Sequence, residues 1–327
     1  MTTDKPDYFI GSVPIYGRVA LAPMAGVTDS AFRHIARRLG AAFTVSEMVS
    51  VKDYVRGTRE ARTRAEIATD APHIVQISGC DPAATGEVAR RAEERGAHVI
   101  DINMGCPAKR VIGGYAGAAL MRDLNIASQI IVSVINSVTI PVSVKMRLGW
   151  DQDSKNAAQL VHIAEESGVC CVTVHGRTRN QKYQGRADWQ AIGEIAEQAT
   201  IPVVANGDIA TLDDARQCLA QSHADGLMVG RAAMGCPWLP GLLNRNLVTG
   251  NTDDLSIIDK HDIISELYDN ILILYGKDVG VRHARKHLAA FMTHLITCGY
   301  ELTEQKKSRI LLGDDPASIK AGLRSLL

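Results

Sequence analysis

HVIDINMG (98–105), LNIASQIIVSVINS (124–137) and PVSVKMRLG (141–149) are three successive pieces of one pattern. The first and third are short apolar runs rich in β-branched residues, as strands buried on both faces require. The piece between them carries its apolar residues at helical spacing. Parallel strands need a long crossover, usually a helix, so strand, helix, strand predicts a parallel sheet. Reading outward, further strand-like runs start at Val19 (VALAPMAG), Phe43 (FTVSEMV), His73 (HIVQISG), Val169 (VCCVTVHG), Pro202 (PVVANGDI) and Gly226 (GLMVGRA). Helical spacing recurs over 82–95, 154–167 and 212–220. Eight strand–helix units in roughly 240 residues predict a (β/α)8 TIM barrel. A doubly wound open sheet competes, but no GxGxxG follows the first strand.

The pattern changes after Leu247. VTGNTDDLS (248–256) is polar and turn-rich, a linker signature. Only helical segments follow, over 262–275, 281–297, 304–311 and 316–326. Leu288, Phe291, Met292 and Leu295 lie at i, i+3, i+4 and i+7, an apolar stripe. The predicted organisation is a barrel domain over 1–247 and a small C-terminal all-α helical domain over 255–327, with a helical cap on the barrel as the competing reading. The chain of 327 residues is 46% hydrophobic and 22% charged, with a formal net charge of zero. That is an ordinary globular balance, and it leaves nucleic-acid binding open, because such binding depends on local patches. No run nears the ~20 apolar residues of a membrane span, and the N-terminus lacks a basic segment leading into an apolar one. A soluble, cytoplasmic protein with no membrane partner is therefore expected, and a monomer. Seven scattered cysteines without a CxxC pair fit free thiols in a reducing compartment. Cys80, Cys218 and Cys298 read as buried hydrophobes.

Met24, Gln76, Asn103, Cys106, Lys145, His175, Asn206 and Arg231 fall at or just beyond the C-terminal ends of the predicted strands. In a barrel these ends converge on one mouth, where barrel enzymes keep their active sites. Any one of them alone reads more simply as a strand-end polar group satisfied by its own loop; eight in phase with eight strands point to a site. Asn206, Gly207 and Asp208, with Gly230 and Arg231, end strands seven and eight, the usual phosphate position of a barrel; glycines for tight turns are the plain alternative. Lys145 stands in an otherwise apolar strand and needs a negative partner, which an acidic side chain or an anionic ligand such as a reduced flavin would supply. Gln76 and His175 are placed to hydrogen-bond a planar ring. No metal is expected, since His175 has no HxxxH or carboxylate companion. His283 and His287 have that spacing, but they read as surface residues of a basic helix. Cys106, in a Gly- and Pro-bounded loop near Lys109 and Arg110, reads as a nucleophile or acid, and Gly113 and Gly114 suggest a loop able to close.

APMAGVTD (22–29), VSEMVS (45–50), VQISG (75–79) and DINMGCPAKRV (101–111) resemble the tRNA-dihydrouridine synthases, the bacterial B-type above all. So do VKMRLGWD (144–151), VHGRTRNQKY (174–183), ANGDI (205–209) and MVGRAAMGCPW (228–238), so the resemblance spans nearly the whole barrel; RHARKH (282–287) is similar to the family's helical domain. Cys236, in MGCPW, departs from the pattern and reads as a packing residue. The resemblance implies FMN, reduced by NADPH. Pro23, Met24 and Ala25 would line the flavin. Gln76, Lys145 and His175 would contact its ring, and Asn206, Gly207, Asp208, Gly230 and Arg231 would hold ribityl and phosphate. It implies reduction of the 5,6 double bond of uridine in tRNA, with hydride from flavin N5 to C6 and a proton from Cys106 to C5. Asn103, Arg177, Lys109, Arg147 and Tyr183 would position the uracil. A flavin reductase of a free pyrimidine or small enone, and a non-catalytic RNA-binding flavoprotein, are the alternatives. Two basic clusters are candidate tRNA contacts: Lys52, Arg56, Arg59, Arg62 and Arg64 after strand two, and Arg282, Arg285 and Lys286, which share one helix face. A solvated charged face is the plain reading of each.

Overall fold

The structure, a computed structural model, describes residues 5–58, 64 and 71–326. Eight parallel strands close a barrel: β3 (Val19–Leu21), β4 (Thr44–Val45), β6 (His73–Ser78), β7 (Val99–Met104), β8 (Val142–Arg147), β9 (Cys171–His175), β10 (Val203–Asn206) and β11 (Gly226–Val229). Closure is made by β11 on β3, with Leu227 opposite Val19 and Val229 opposite Leu21. Strand two is shorter than its apolar run predicts. It breaks after Val45, where Ser46 Oγ accepts the Gln76 amide at 3.0 Å in place of a ladder carbonyl, and resumes as β5 (Val49–Ser50) beside β6. The N-terminal mouth carries a feature the sequence reading missed, an antiparallel hairpin of β1 (Tyr8–Ile10) and β2 (Val13–Ile15). Its Tyr8, Ile10 and Ile15 pack on Phe43, Ile74, Val99 and Met228 and plug that end of the barrel. Access is therefore left at the opposite mouth.

Beyond the barrel, helices span Leu239–Thr249, Ile257–Tyr275, Lys277–Thr297, Glu304–Leu311 and Pro316–Arg324. The predicted stripe is buried: Leu288, Phe291, Met292 and Leu295 join the same apolar cluster as Phe32 and Ile35 of the barrel's first helix. One continuous core thus crosses the segment 248–256. Trp238 meets the edge of Phe291 at 6.3 Å, and Arg38 pairs with Glu266 on the rim of the contact. The apolar part dominates, since each buried large side chain contributes ~1.5–3 kcal/mol and an exposed ion pair ~1 kcal/mol or less. No described helix is long and apolar enough to cross a membrane.

Three readings are corrected here. His283 and His287 are not surface residues. His287 is 1% exposed, 5.3 Å from the Phe32 ring, and its ring nitrogens have no hydrogen-bond partner among the described residues; His283 Nε2 lies 3.2 Å from Asp29 Oδ2. The i, i+4 spacing puts both on the flank of the apolar stripe that faces the barrel. Cys80 and Cys298 are exposed, and of that trio only Cys218 is buried. Arg285 and Lys286 do not form a free basic face with Arg282. Arg285 donates to Gly313 O and to Asp314 Oδ1 at 2.9 Å, and Lys286 is partly buried while Arg282 is exposed.

Burial pulls the His287 pKa down to about 4, against an ordinary value of about 6.5 in the unfolded chain. Between those values the unfolded state takes the proton and the folded state does not, so stability falls as pH drops from about 6.5 toward 4. The variant His287→Leu should lose stability less steeply over that window, measured by denaturant unfolding at several pH values. Parallel pH dependence of the two proteins would contradict the burial assigned to this ring.

Candidate active site

The strand ends meet at a cavity of about 850 Å³ at the C-terminal mouth. All the residues predicted for catalysis, flavin and uracil line it except Arg177, whereas Arg282, Arg285 and Lys286 do not. Its wall carries five cationic side chains, Lys109, Lys145, Arg147, Lys182 and Arg231, against one carboxylate, Asp208.

Cys106 is held by a directed chain of hydrogen bonds that crosses three strands. Ser143 Oγ donates to Asp101 Oδ1 and Gln76 Nε2 to Asp101 Oδ2, both at 2.7 Å. Asn103 Nδ2 donates to Gln76 Oε1 at 2.7 Å, and Asn103 Oδ1 accepts the amides of Gly105 at 3.2 Å and Cys106 at 3.0 Å. Asp101 and Ser143 escaped the sequence reading; the signal available was a polar residue inside each of two apolar strands. Burial raises the Asp101 pKa to about 6, so at neutral pH it is ionised and can only accept. The loop is closed from the other side by Gly117, whose amide-neighbour Ala118 donates to Cys106 O at 3.1 Å. Gly117 has φ +62°, and a Cβ there would lie 2.9 Å from Cys106 O and 3.2 Å from Cys106 Cβ. This glycine, rather than Gly113 or Gly114, is the one the loop geometry demands. Burial pushes the Cys106 thiol above its ordinary pKa, while Arg147 and Lys145 pull the other way.

Lys145 Nζ donates to Asn206 Oδ1 at 2.9 Å, and Asn206 Nδ2 to Met228 O at 2.7 Å. Among the described residues no carboxylate forms an ion pair with the ammonium, and burial, with Arg147 adding to it, lowers its pKa to about 8. Arg147 donates Nε to Gly105 O at 2.8 Å and Nη1 to Thr178 O and Lys182 O. The exposed Tyr183 ring lies 4.3 Å from the Arg231 guanidinium and 5.7 Å from that of Arg147. Arg177 stands behind the wall, 1% exposed, its donors committed to Gln184 O, Gly185 O and Asp208 Oδ2. It also approaches His175 Nε2 at 3.4 Å. A guanidinium only donates, which assigns Nε2 as acceptor and the ring proton to Nδ1. Burial holds His175 neutral, far below its ordinary pKa. The turn after β10 requires its glycine: Gly207 has φ +123°, and a Cβ there would come within 2.8 Å of Ala187 Cβ and 3.0 Å of the His175 ring.

Of the first basic cluster, Lys52 and Arg56 are exposed, Arg64 Nε lies 3.8 Å from Glu47, and Arg59 and Arg62 lie outside the described residues. Cys236 is buried, as its packing role requires.

The family model described as dihydrouridine synthase matches residues 20–308. A probable tRNA-dihydrouridine synthase of Rickettsia conorii is 43% identical over 95% of this chain and 93% of its own length. A probable tRNA-dihydrouridine synthase of Rhizobium leguminosarum is 44% identical over 94% and 95%, and the tRNA-dihydrouridine synthase B of Pseudomonas aeruginosa 42% identical over 88% and 87%. With a closed barrel, a cationic mouth and a cysteine fixed at its rim, the chain belongs to the dihydrouridine synthase family.

Proposed function

We propose that this chain reduces the 5,6 double bond of specific uridines in tRNA, using FMN reduced by NADPH. The observation that carries the reading is the placement of Cys106 on the wall of a deep cavity whose described lining charges are five positive to one negative, with burial favouring the protonated thiol. The donor set fits a flavin mononucleotide. Lys145 is a half-buried ammonium that forms no ion pair with a carboxylate among the described residues, and an anionic ring edge would stabilise its charged form. Lys145, Gln76 and His175 would contact the ring, Pro23, Met24 and Ala25 would wall it, and Asn206, Gly207, Asp208, Gly230 and Arg231 would hold ribityl and phosphate. When bound and reduced, FMN supplies the hydride for uracil C6.

The chain's own side chains handle the proton and the substrate. Burial keeps the proton on Cys106 Sγ until uracil C5 can accept it. Arg147 and Lys145 then stabilise the thiolate left behind. Asn103 serves by fixing the Cys106 loop, and Arg147 by anchoring the same loop at Gly105 O. Arg177 acts at one remove, by fixing residues 184–185 beside Tyr183 and by orienting His175. Lys109 and Tyr183 border the path by which a base turned out of its stack would enter. For the folded RNA outside, Arg282 is the exposed member of the Arg282, Arg285 and Lys286 cluster, with Arg285 and Lys286 in supporting contact.

The test is to incubate the FMN-loaded protein with NADPH and unmodified tRNA and map dihydrouridine by mass spectrometry. Dihydrouridine at defined positions is expected. Reduction of free uridine with tRNA left untouched would overturn the substrate. A second outcome concerns the cofactor: Lys145→Ala should weaken FMN binding about ten- to a hundred-fold, the scale of one charge-assisted hydrogen bond, in a fluorescence titration. Wild-type affinity in that variant would remove Lys145 from the flavin site.

A further inference from the structure

The loop that carries Cys106 ends in a residue of unusual conformation. Tyr115 has φ +56°, a region that costs a bulky side chain roughly 1–2 kcal/mol. Its side chain is nonetheless not tucked away: the residue is 75% exposed, the highest value for any exposed tyrosine of the chain. The turn beneath it is fully fastened. Tyr115 N donates to Ile112 O at 3.0 Å, Gly114 N to Val111 O at 3.0 Å and Ala116 N to Val111 O at 3.3 Å. Two residues on, Gly117 packs on Cys106 itself. A strained backbone that holds an aromatic ring out in solvent, on the same rigid loop as the proposed acid, gains nothing in folding that a glycine or asparagine would not give.

The surroundings name the ligand chemistry. Lys109, on the same loop, lines the cavity; Arg110 follows it in sequence, its side chain 81% exposed and paired with Asp53 Oδ2 at 3.1 Å, a surface ion pair weak enough for a phosphate to displace. An exposed aromatic ring on one short loop with two cations is the combination that stacks on an unpaired base and holds its phosphates. We propose that Tyr115 is a stacking platform for a nucleotide of the RNA next to the one that enters the cavity, with Lys109 and Arg110 on the adjoining phosphates. The ring would then cap the stack that the target base leaves, which favours the turned-out state. This rests on the reading of tRNA as substrate.

The test uses the FMN-loaded holoenzyme, with tRNA affinity and the KM for tRNA as readouts, and the melting midpoint and bound FMN as controls of folding. Tyr115→Asn removes the ring but keeps a residue that adopts positive φ readily, so the loop is preserved. It should weaken tRNA binding about ten-fold, the scale of one base–aromatic stack, and raise KM more than it lowers kcat. Tyr115→Trp should restore binding to within about two-fold, because any aromatic face serves. Equal tRNA affinity for Tyr115→Asn and the parent protein overturns the platform, as does failure of Tyr115→Trp to restore it. If the parent protein itself binds no tRNA, the substrate reading fails, and the platform with it.

Discussion

The carboxylate of Asp101 sets the direction of every hydrogen bond that leads to Cys106. An ionised carboxylate has no proton to give, so Gln76 must turn its NH2 group toward it. That leaves the Gln76 carbonyl for Asn103, and the Asn103 carbonyl for the Gly105 and Cys106 amides. Amides can flip, and a chain of two amides has two polarities of similar energy; a buried anion at one end and two backbone donors at the other leave only one. Ser143 satisfies the second oxygen of Asp101, so the charge is tolerable in the barrel wall. The position of the thiol is thus decided on three neighbouring strands, and strands hold a side chain more closely than a loop does.

The same barrel creates the electrostatics of the site. The hairpin closes one mouth and the eight strands exclude water from the walls, so the charges at the other mouth lie in a weakly screening setting. Lys145 and Arg147 are both held below their ordinary pKa values by burial, Arg147 to about 10. His175 beside them stays neutral, which leaves it free to hydrogen-bond rather than repel. The Arg177–Asp208 pair at 2.5 Å supports this arrangement from behind, linking the ends of β9 and β10 without drawing on the cavity's own donors.

The barrel and most of the cavity wall were legible in the sequence, because a parallel barrel enforces one rule: the strand is apolar, and what lies at its C-terminal end faces the mouth. Gln76, Asn103, Lys145, His175 and Asn206 follow it. Asp101 and Ser143 obey the same alternation but sit deeper, where their partners come from neighbouring strands that sequence spacing cannot align. Arg177 follows β9 by two residues, and the turn at Gly176 swings it behind the wall. His287 was misplaced because a basic helix of seemingly amphipathic design has its charged flank packed on the barrel's first helix, a tertiary contact. The hairpin at 8–15 was too short for its alternation to stand out.

The most direct measurement separates the two halves of the reaction in Cys106→Ala. Stopped-flow reduction of the bound flavin by NADPH should proceed near the parent rate, since no proton passes to uracil in that step. Oxidation of the reduced protein by tRNA should slow by about 10²–10⁴-fold, the range for loss of a general acid. Oxidation by tRNA at the parent rate would contradict the assignment of Cys106 as the proton donor, and with it the purpose ascribed to the Asp101 chain.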